Sequence, residues 1–144
     1  MNFNNFTIKS QEAVQEAVNL VQSRGQQAIE PEHLMAGLLK VGENVTNFIF
    51  QKLGINGQQI ETVLDRQIAS LPKVSGGEAY LSRSANEVLQ KALEVSKELG
   101  DEYVSLEALL LALLNVKSTV ATILKDAGLT DKELRAAIQE LRQG

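Results

Sequence analysis

Few residues in this sequence have the type and the spacing that catalysis or metal binding requires. His33 is the only histidine and cysteine is absent, so the chain lacks the second imidazole or thiolate of the common zinc sites. Glu30 and Glu32 lie close together, but side chains two positions apart on a helix do not face each other. We therefore interpret His33 as a structural residue, and the two glutamates as groups that complement the positive end of a helix dipole.

The glycine-rich motifs that present phosphates or nucleophilic serines are also missing. No glycine is followed directly by lysine, which excludes the G-x-x-x-x-G-K-S/T phosphate loop. The G-x-S-x-G turn that exposes a nucleophilic serine in many hydrolases does not occur either. The sequence therefore predicts a chain with no catalytic site, no metal site and no bound cofactor.

The overall charge of the chain argues against nucleic-acid binding. There are 18 acidic and 14 basic side chains, the net charge is -4, and no block of basic residues occurs. Phosphate contacts need clustered lysine and arginine, so we expect no nucleic-acid partner. No stretch approaches the roughly 18 consecutive apolar residues of a membrane span, and residues 1–10 lack the basic and apolar parts of a signal peptide. We expect a soluble, cytoplasmic protein with no membrane partner.

The sequence that surrounds these residues occurs in two similar copies along the chain. A shift of 75 residues, which becomes 74 after one deletion, superimposes a first copy at about 7–70 on a second copy at about 82–143. The shift pairs a glycine and a glutamate of each copy: Gly25 with Gly100, and Glu32 with Glu107. Such self-similarity is typical of a duplicated structural unit.

Each copy shows the pattern of four amphipathic helices. In the first copy, apolar residues recur at three- and four-residue spacing at Ala13, Val14, Ala17, Val18 and Val21. Gly25 ends this helix, and Pro31 begins a second helix that reaches about Lys40. A third helix is predicted at about 44–52 and a fourth at about 58–70.

Polar residues mark where helices of the second copy begin. In a capping box, a side chain and the backbone satisfy each other's free hydrogen-bonding groups. Two pairs fit this pattern: Ser84 with Glu87, and Thr130 with Glu133. Ser105 and Ser118 are further candidates for N-caps.

Residues 71–82 separate the two copies and are called the connector below. They contain Pro72, Gly76 and Gly77 and show no helical period, so we expect a connecting loop. No alternating strand pattern of convincing length occurs elsewhere in the chain. The sequence predicts one all-α domain over 1–144, with eight helices in two four-helix units that are related by a pseudo-twofold axis.

One helix of the second copy carries more leucine than a helix with a polar face needs. Residues 106–114 read LEALLLALL, apolar at every position except Glu107, whereas the matching stretch of the first copy reads PEHLMAGLL. Leu106 and Leu111 are the leucines without an equivalent there. Two interpretations stay open, because these leucines could face a ligand or could pack between the two copies.

Three segments of the chain resemble the N-terminal domain of Clp ATPases, which is a tandem four-helix repeat. They are AIEPEHLMAGLLK at 28–40, the connector LPKVSGGEAYLS, and GDEYVSLEALLLALL at 100–114. In relatives that feed a protease, the stretch at 29–33 more often reads I-G-T-E-H, whereas here it reads I-E-P-E-H. The chain is therefore most similar to the disaggregase branch of the family, the ClpB type.

The resemblance implies a domain that binds exposed hydrophobic segments of unfolded or aggregated proteins. It also implies that the full-length protein is a homohexamer with two ATPase rings that works with a co-chaperone system. ATP and magnesium are then expected only in the rings, which agrees with the missing phosphate loop.

Seven residues form the candidate substrate-binding site: Thr7, Asp101, Glu107, Leu89, Val95, Leu106 and Leu111. The first three match polar positions that the family uses around a groove between the two units, and the next two keep apolar character there. The last two come from the leucine surplus of 106–114. Lys91 and Ala108 stand where disaggregase relatives can carry larger apolar groups, so a weaker affinity for hydrophobic segments is expected.

Two other functions remain as alternatives at this stage. The first is an adaptor-docking domain of a protease-linked Clp ATPase, which would hold a dedicated partner protein instead of unfolded chains. The second is a small stand-alone helical enzyme, which any turnover by the pure domain would reveal.

Overall fold

The computed structural model describes residues 2–143, and most of them are helical. In chain order the elements are α1 (Ile8–Ser23), β1 (Ala28–Ile29), α2 (Pro31–Val41), α3 (Glu43–Leu53), α4 (Gly57–Ala69), β2 (Tyr80–Leu81), α5 (Arg83–Glu98), α6 (Leu106–Asn115), α7 (Thr119–Asp126) and α8 (Asp131–Gln143). Within the described range, the eight helices fall four to each copy, which confirms the predicted fold class. The predicted domain bounds at 1 and 144 lie outside the described residues.

Local signals place the helix ends close to where the sequence predicts them. α1 and α5 are each followed by a glycine with positive φ, 65° at Gly25 and 75° at Gly100, a conformation that favours glycine. Pro31 is the first residue of α2. Ser105 caps α6, because its hydroxyl accepts the N–H of Ala108 at 3.1 Å.

The start of α5 differs from the prediction. Ser82 caps this helix, since its Oγ accepts the N–H of Ala85 at 3.0 Å, and Ser84 lies inside the first turn. The predicted capping box of Ser84 with Glu87 is therefore wrong. Ser82 takes the cap because it directly follows β2, whose extended backbone it continues with φ -66° and ψ 165°.

The segment that precedes the first helix of each copy pairs with an extended segment of the other copy. β2 enters the second copy and pairs in parallel with β1 of the first, with Leu81 opposite Ile29. Phe6 enters the first copy and forms a parallel bridge with Val104 of the second. By the shift of 75 residues, Phe6 corresponds to Leu81 and Ile29 to Val104, so the two pairings are equivalent. Such a reciprocal exchange is what a pseudo-twofold arrangement requires.

α6 is the central helix of the hydrophobic core. It packs against α1, α2, α5, α7 and α8, and every side chain from Ala108 to Leu114 is buried. Leu106 is 6% exposed and Leu111 has no exposed surface. Of the two interpretations of the leucine surplus, packing between the copies is the one that the structure supports.

No single helix within 2–143 is both long and apolar enough to cross a membrane. α6 and α7 reach the required length and hydropathy only when they are taken together, and the pair is bent by 98°.

Candidate functional site

An arginine joins two of the sequence-predicted site residues. The guanidinium of Arg142 donates to both carboxylate oxygens of Asp101, at 2.9 and 2.7 Å, and to Oε2 of Glu107 at 3.1 Å. It also lies 3.4 Å from Oγ of Ser105. Arg142 was not predicted from the sequence, because nothing near it in the chain marks it as different from other helix-end cations.

Three elements converge to build this cluster. Asp101 follows the glycine that ends α5, and its N–H donates to the carbonyl of Ser96 at 2.8 Å. Glu107 lies in the first turn of α6, where a carboxylate also complements the helix dipole. Arg142 lies in the last turn of α8. The cluster therefore ties the end of the last helix to the loop between α5 and α6.

The cluster is partly buried and carries one negative charge in excess. Side-chain exposure is 28% for Arg142, 22% for Asp101 and 12% for Glu107. The hydrogen bonds to Asp101, together with the neighbouring Glu107 carboxylate, raise the pKa of Arg142. The guanidinium thus stays charged, and the two carboxylates keep lone pairs that can accept further N–H groups.

Thr7 reaches the same region through its backbone. Its N–H donates to the carbonyl of Val104 at 3.0 Å, which sets the start of α1 beside the loop that holds Asp101. Its hydroxyl caps α1 by accepting the N–H of Ser10 at 3.1 Å. The structure therefore brings Thr7 beside the loop that holds Asp101, and gives its side chain a capping role.

Exposed apolar side chains adjoin this contact, and the sequence analysis did not single them out. Ile8 follows Thr7 and is 75% exposed, and Tyr103 precedes Val104 and is 49% exposed. They could not be singled out from the sequence for two reasons. An isoleucine in an amphipathic helix is expected to face the core, and an exposed tyrosine is too common to indicate a site. The hydrogen bond between Thr7 and Val104 brings these two chain segments together, and we call the residues around this junction the entry surface: Thr7, Ile8, Asp101, Tyr103 and Glu107.

The apolar residues that were predicted to line a groove are core residues in this structure. Leu89, Val95 and Leu111 have no exposed surface, and Leu106 is nearly as buried. Side chains with little or no exposed surface offer no contact area to a bound segment, so the prediction of direct contact needs correction for these four. Leu89 and Val95 lie on α5, which packs against α6.

The matching region of the first copy is closed and holds fewer charged groups. Gln26 stands in the place of Asp101, and its Nε2 donates to the carbonyl of Ile68 at 2.7 Å. Glu32 stands in the place of Glu107 and accepts from Nε2 of Gln67 at 3.3 Å. Burial raises the pKa of Glu32. The open, charged version of the site therefore exists in the second copy alone.

The arrangement has groups that can contact a ligand. It offers carboxylate acceptors, a charged guanidinium and exposed apolar side chains. Residues 2–143 contain no group of three or more histidine, aspartate or glutamate side chains that could hold a metal ion. This chemistry fits a binding surface for a polypeptide.

A family model and the curated relatives point to the same protein family. A family model described as the Clp repeat (R) N-terminal domain matches residues 5–141. The chain is 79% identical over 144 residues to the chaperone protein ClpB of Bacteroides thetaiotaomicron, and 51% identical over 144 residues to that of Porphyromonas gingivalis. Each match covers 100% of this chain and 17% of the relative, so the chain spans about a sixth of the length of these curated relatives.

Solved structures share the fold at low sequence identity. The Hsp104 N-terminal domain from Candida albicans has a TM-score of 0.83 at 23% identity, with 96% of this chain and 92% of that chain covered. The ClpV N-domain in complex with a VipB peptide has a TM-score of 0.75 at 20% identity, with 92% and 83% covered.

Proposed function

The chain belongs to the Clp repeat (R) N-terminal domain family, and from that membership we propose that it binds exposed hydrophobic segments of unfolded or aggregated proteins for a ClpB-type disaggregase. The observation that carries this function is the entry surface. Ile8 and Tyr103 offer exposed apolar area, and Asp101 offers carboxylate acceptors beside it. A polypeptide segment presents both apolar side chains and backbone N–H groups, so it can use both parts.

A protein with the same fold binds a ligand of the proposed class, a peptide. The ClpV N-domain forms a complex with a VipB peptide. The full-length relatives at 79% and 51% identity are ClpB chaperones. As part of the same proposal, the full-length protein is a cytoplasmic homohexamer that works with a co-chaperone system, and it holds ATP and magnesium outside this chain.

An NMR titration with a permanently unfolded client tests the function. Reduced, carboxymethylated α-lactalbumin is a suitable probe, because it exposes apolar segments and cannot refold. We expect micromolar or weaker affinity, as for a small exposed surface. Amide shifts should concentrate at Ile8, Asp101 and Tyr103. Shifts confined to α3 and α4, or binding only to a folded adaptor, would contradict the function.

Replacing the exposed tyrosine should weaken client binding without affecting the fold. Tyr103→Ser removes an aromatic side chain that is half exposed, so the core loses little. If the client covers this ring, the lost contact is worth about 1 kcal/mol, or about five-fold in affinity. The measurement is fluorescence anisotropy with labelled α-lactalbumin.

Tyr80 supplies a matched control for this substitution. It is 55% exposed and lies in β2, outside the entry surface. Tyr80→Ser should leave the client affinity unchanged. Equal weakening by both substitutions would show that general hydrophobicity, rather than the entry surface, governs binding.

Removing the carboxylate of Asp101 should weaken client binding several-fold while the melting temperature hardly moves. Solvent partly screens the pair with Arg142, so we expect it to contribute less than about 1 kcal/mol to stability. The carboxylate's free lone pairs are nevertheless available to a bound backbone. Asp101→Ala and Glu107→Ala are compared with the parent by anisotropy and by thermal unfolding.

Glu98 supplies a control variant, because its removal also breaks an ion pair to α8, the helix that carries Arg142. Its carboxylate accepts from Arg135 of α8 at 2.9 Å, seven residues before Arg142, and is more exposed, at 49%, than that of Asp101, at 22%. Glu98→Ala should leave client affinity unchanged. If Asp101→Ala and Glu107→Ala lower the melting temperature and the client still binds normally, these carboxylates serve the fold alone.

A further inference from the structure

A groove on the first copy is filled at the equivalent place of the second copy. It lies between α2, α3 and α4 and has a volume of about 990 Å³. Leu39 and Ile55 line it and are half-buried. Their pseudo-equivalents Leu114 and Leu129 are each 1% exposed. This face is therefore open in the first copy and closed by leucine side chains in the second.

Three exposed carboxylates line this groove, which we call the acidic groove: Glu43, Glu61 and Asp65. Glu61 and Asp65 lie four positions apart on α4 and therefore face the same side. Lys40 also lines the groove, but its ammonium pairs with Glu16 at 3.0 Å. The three carboxylates form no ion pair with any other residue of 2–143. Their negative charge is thus available to a partner.

The equivalent face of the second copy carries the opposite charge. The shift of 74 residues replaces two glutamines of the groove by lysines: Lys125 replaces Gln51, and Lys132 replaces Gln58. Both lysines are exposed, and neither pairs with a carboxylate in the part of the chain that the structure describes. Arg135 replaces Glu61, although it pairs with Asp131 and Glu98. We call this face, defined by Lys125 and Lys132, the basic face.

The acidic residues next to these two lysines lie on another side of their helices. Asp126 corresponds to Lys52 and Glu133 to Gln59, and neither of these first-copy residues lines the acidic groove. Lys52 instead pairs with Glu140 at 3.1 Å. Gln59 lines a separate cavity between α4 and α7, together with Asp126. The positive charge of the basic face is therefore not cancelled by its neighbours in sequence.

We propose that the acidic groove of one chain receives the basic face of a second copy of the same chain. The contact is head-to-tail, because two acidic grooves repel each other and so do two basic faces. Each chain then uses its groove toward one neighbour and its basic face toward the other, so the contact can be repeated around a ring. Such a ring agrees with the homohexamer of the proposed function, but the contact does not depend on client binding.

Charge and shape both favour a second copy as the occupant. The basic face projects lysines from a closed surface, whereas the acidic groove is open and the lysine that lines it is already paired. Because solvent screens exposed ion pairs, two isolated chains should associate weakly, with a Kd on the order of 1 mM. Inside a hexamer, neighbouring chains are held together, and the high effective concentration makes so weak a contact sufficient.

Carbodiimide cross-linking shows which surfaces meet. The reagent joins a carboxylate directly to a lysine amine, so it captures only groups in contact. In a mixture of nitrogen-15-labelled and unlabelled chain, only links between two chains produce peptide pairs of mixed isotope. We expect mixed pairs that join the acidic groove to the basic face. Their yield should fall several-fold in about 0.5 M sodium chloride, which screens exposed charges.

Charge reversal tests the same contact without a cross-linker. Glu61→Lys with Asp65→Lys makes the groove basic. Lys125→Glu with Lys132→Glu makes the basic face acidic. Either double variant places like charges opposite each other, so the concentration-dependent amide shifts of the parent at 58–65 and 125–132 should disappear. All four substitutions in one chain make the two surfaces complementary again and should restore the shifts, which a merely structural role of these residues would not do.

Two lysines outside both surfaces supply the matched control. Lys73 and Lys97 are exposed and form no ion pair within the described range. Lys73→Glu with Lys97→Glu lowers the net charge as much as reversal of the basic face does, and should leave the shifts unchanged. Equal loss in this control would assign the association to net charge and overturn the inference. No association at about 1 mM, or association that survives both reversals, would overturn it as well.

The α-lactalbumin titration separates this inference from the proposed function. The entry surface lies outside the acidic groove and the basic face, so each charge-reversed variant should bind α-lactalbumin as the parent does. If the chains associate as described and α-lactalbumin binds nowhere, the function is wrong and the contact stands. If α-lactalbumin shifts Ile8 and Tyr103 while the reversals have no effect, the function stands and the contact is wrong. Shifts at 58–65 caused by α-lactalbumin would assign the groove to a client and overturn the second copy as its occupant.

Discussion

Lowering the pH from about 7 to about 4.5 is expected to cost the protein about 2 kcal/mol of its free energy of unfolding through His33 alone. The imidazole has no exposed surface. Nδ1 accepts the N–H of Glu30 at 2.9 Å, and Nε2 lies 2.7 Å from Oε1 of Gln26. The neutral ring with its proton on Nε2 satisfies both contacts, whereas a second proton on Nδ1 would face the Glu30 N–H.

The sign of the effect follows from the two states of the chain. Burial, aided by the positive charge of Arg24, lowers the pKa of His33 from 6.5 to about 4. In the unfolded chain the imidazole keeps its ordinary pKa, so between these values the unfolded state binds more protons than the folded state. The stability is therefore fully present above about pH 6.5 and is lost as the pH falls toward about 4.

Urea unfolding at several pH values measures this loss, with His33→Asn as the variant that does not titrate. Asparagine keeps an acceptor for the Glu30 N–H, although it packs less well. Burial raises the pKa of Glu32, which acts in the opposite sense, but Glu32 is present in both proteins. The parent should lose about 2 kcal/mol more than the variant on acidification. Equal losses would show that His33 is already free to protonate in the folded state.

Helix positions could be predicted from the sequence because the signals that set them are local. Gly25, Gly100 and Pro31 act within one turn of backbone, and the structure places the helix ends near them. The capping prediction failed where two serines compete two positions apart. Pairing of β2 with β1 decides between Ser82 and Ser84, and that contact joins segments about 50 residues apart.

The candidate site was harder to predict, because its chemistry depends on contacts between distant segments. The resemblance names Asp101 and Glu107 as candidates, but Arg142, which binds both, is 41 residues from Asp101 and 35 from Glu107. For Leu106 and Leu111 of α6 the error was different: they were predicted as binding residues and are buried. An apolar run signals burial or binding equally well, and only the packing of α6 against both copies decides for burial.

Adding one methyl group at Gly37 is expected to destabilise the fold by about 3 kcal/mol, the upper part of the range for overpacked cores. Gly37 lies in α2 where this helix crosses α1. A Cβ there would collide with the carbonyl oxygen of Ala13, and it would lie 3.2 Å from the backbone N of Ala17. Both neighbours are backbone atoms inside a helix, so neither can move aside without separating the helices.

The expected sign is opposite to that of the same change in an open helix. Glycine to alanine in an exposed helix interior stabilises by about 1 kcal/mol, because alanine loses less conformational entropy. Ala112 holds the equivalent position of the second copy, where it is buried and the methyl group is accommodated. Gly37→Ala should therefore lower the urea midpoint strongly, whereas Ala112→Gly should cost only about 1 kcal/mol. A Gly37→Ala protein as stable as its parent would mean that the α1 and α2 backbones do not approach this closely, and the first copy would then pack like the second.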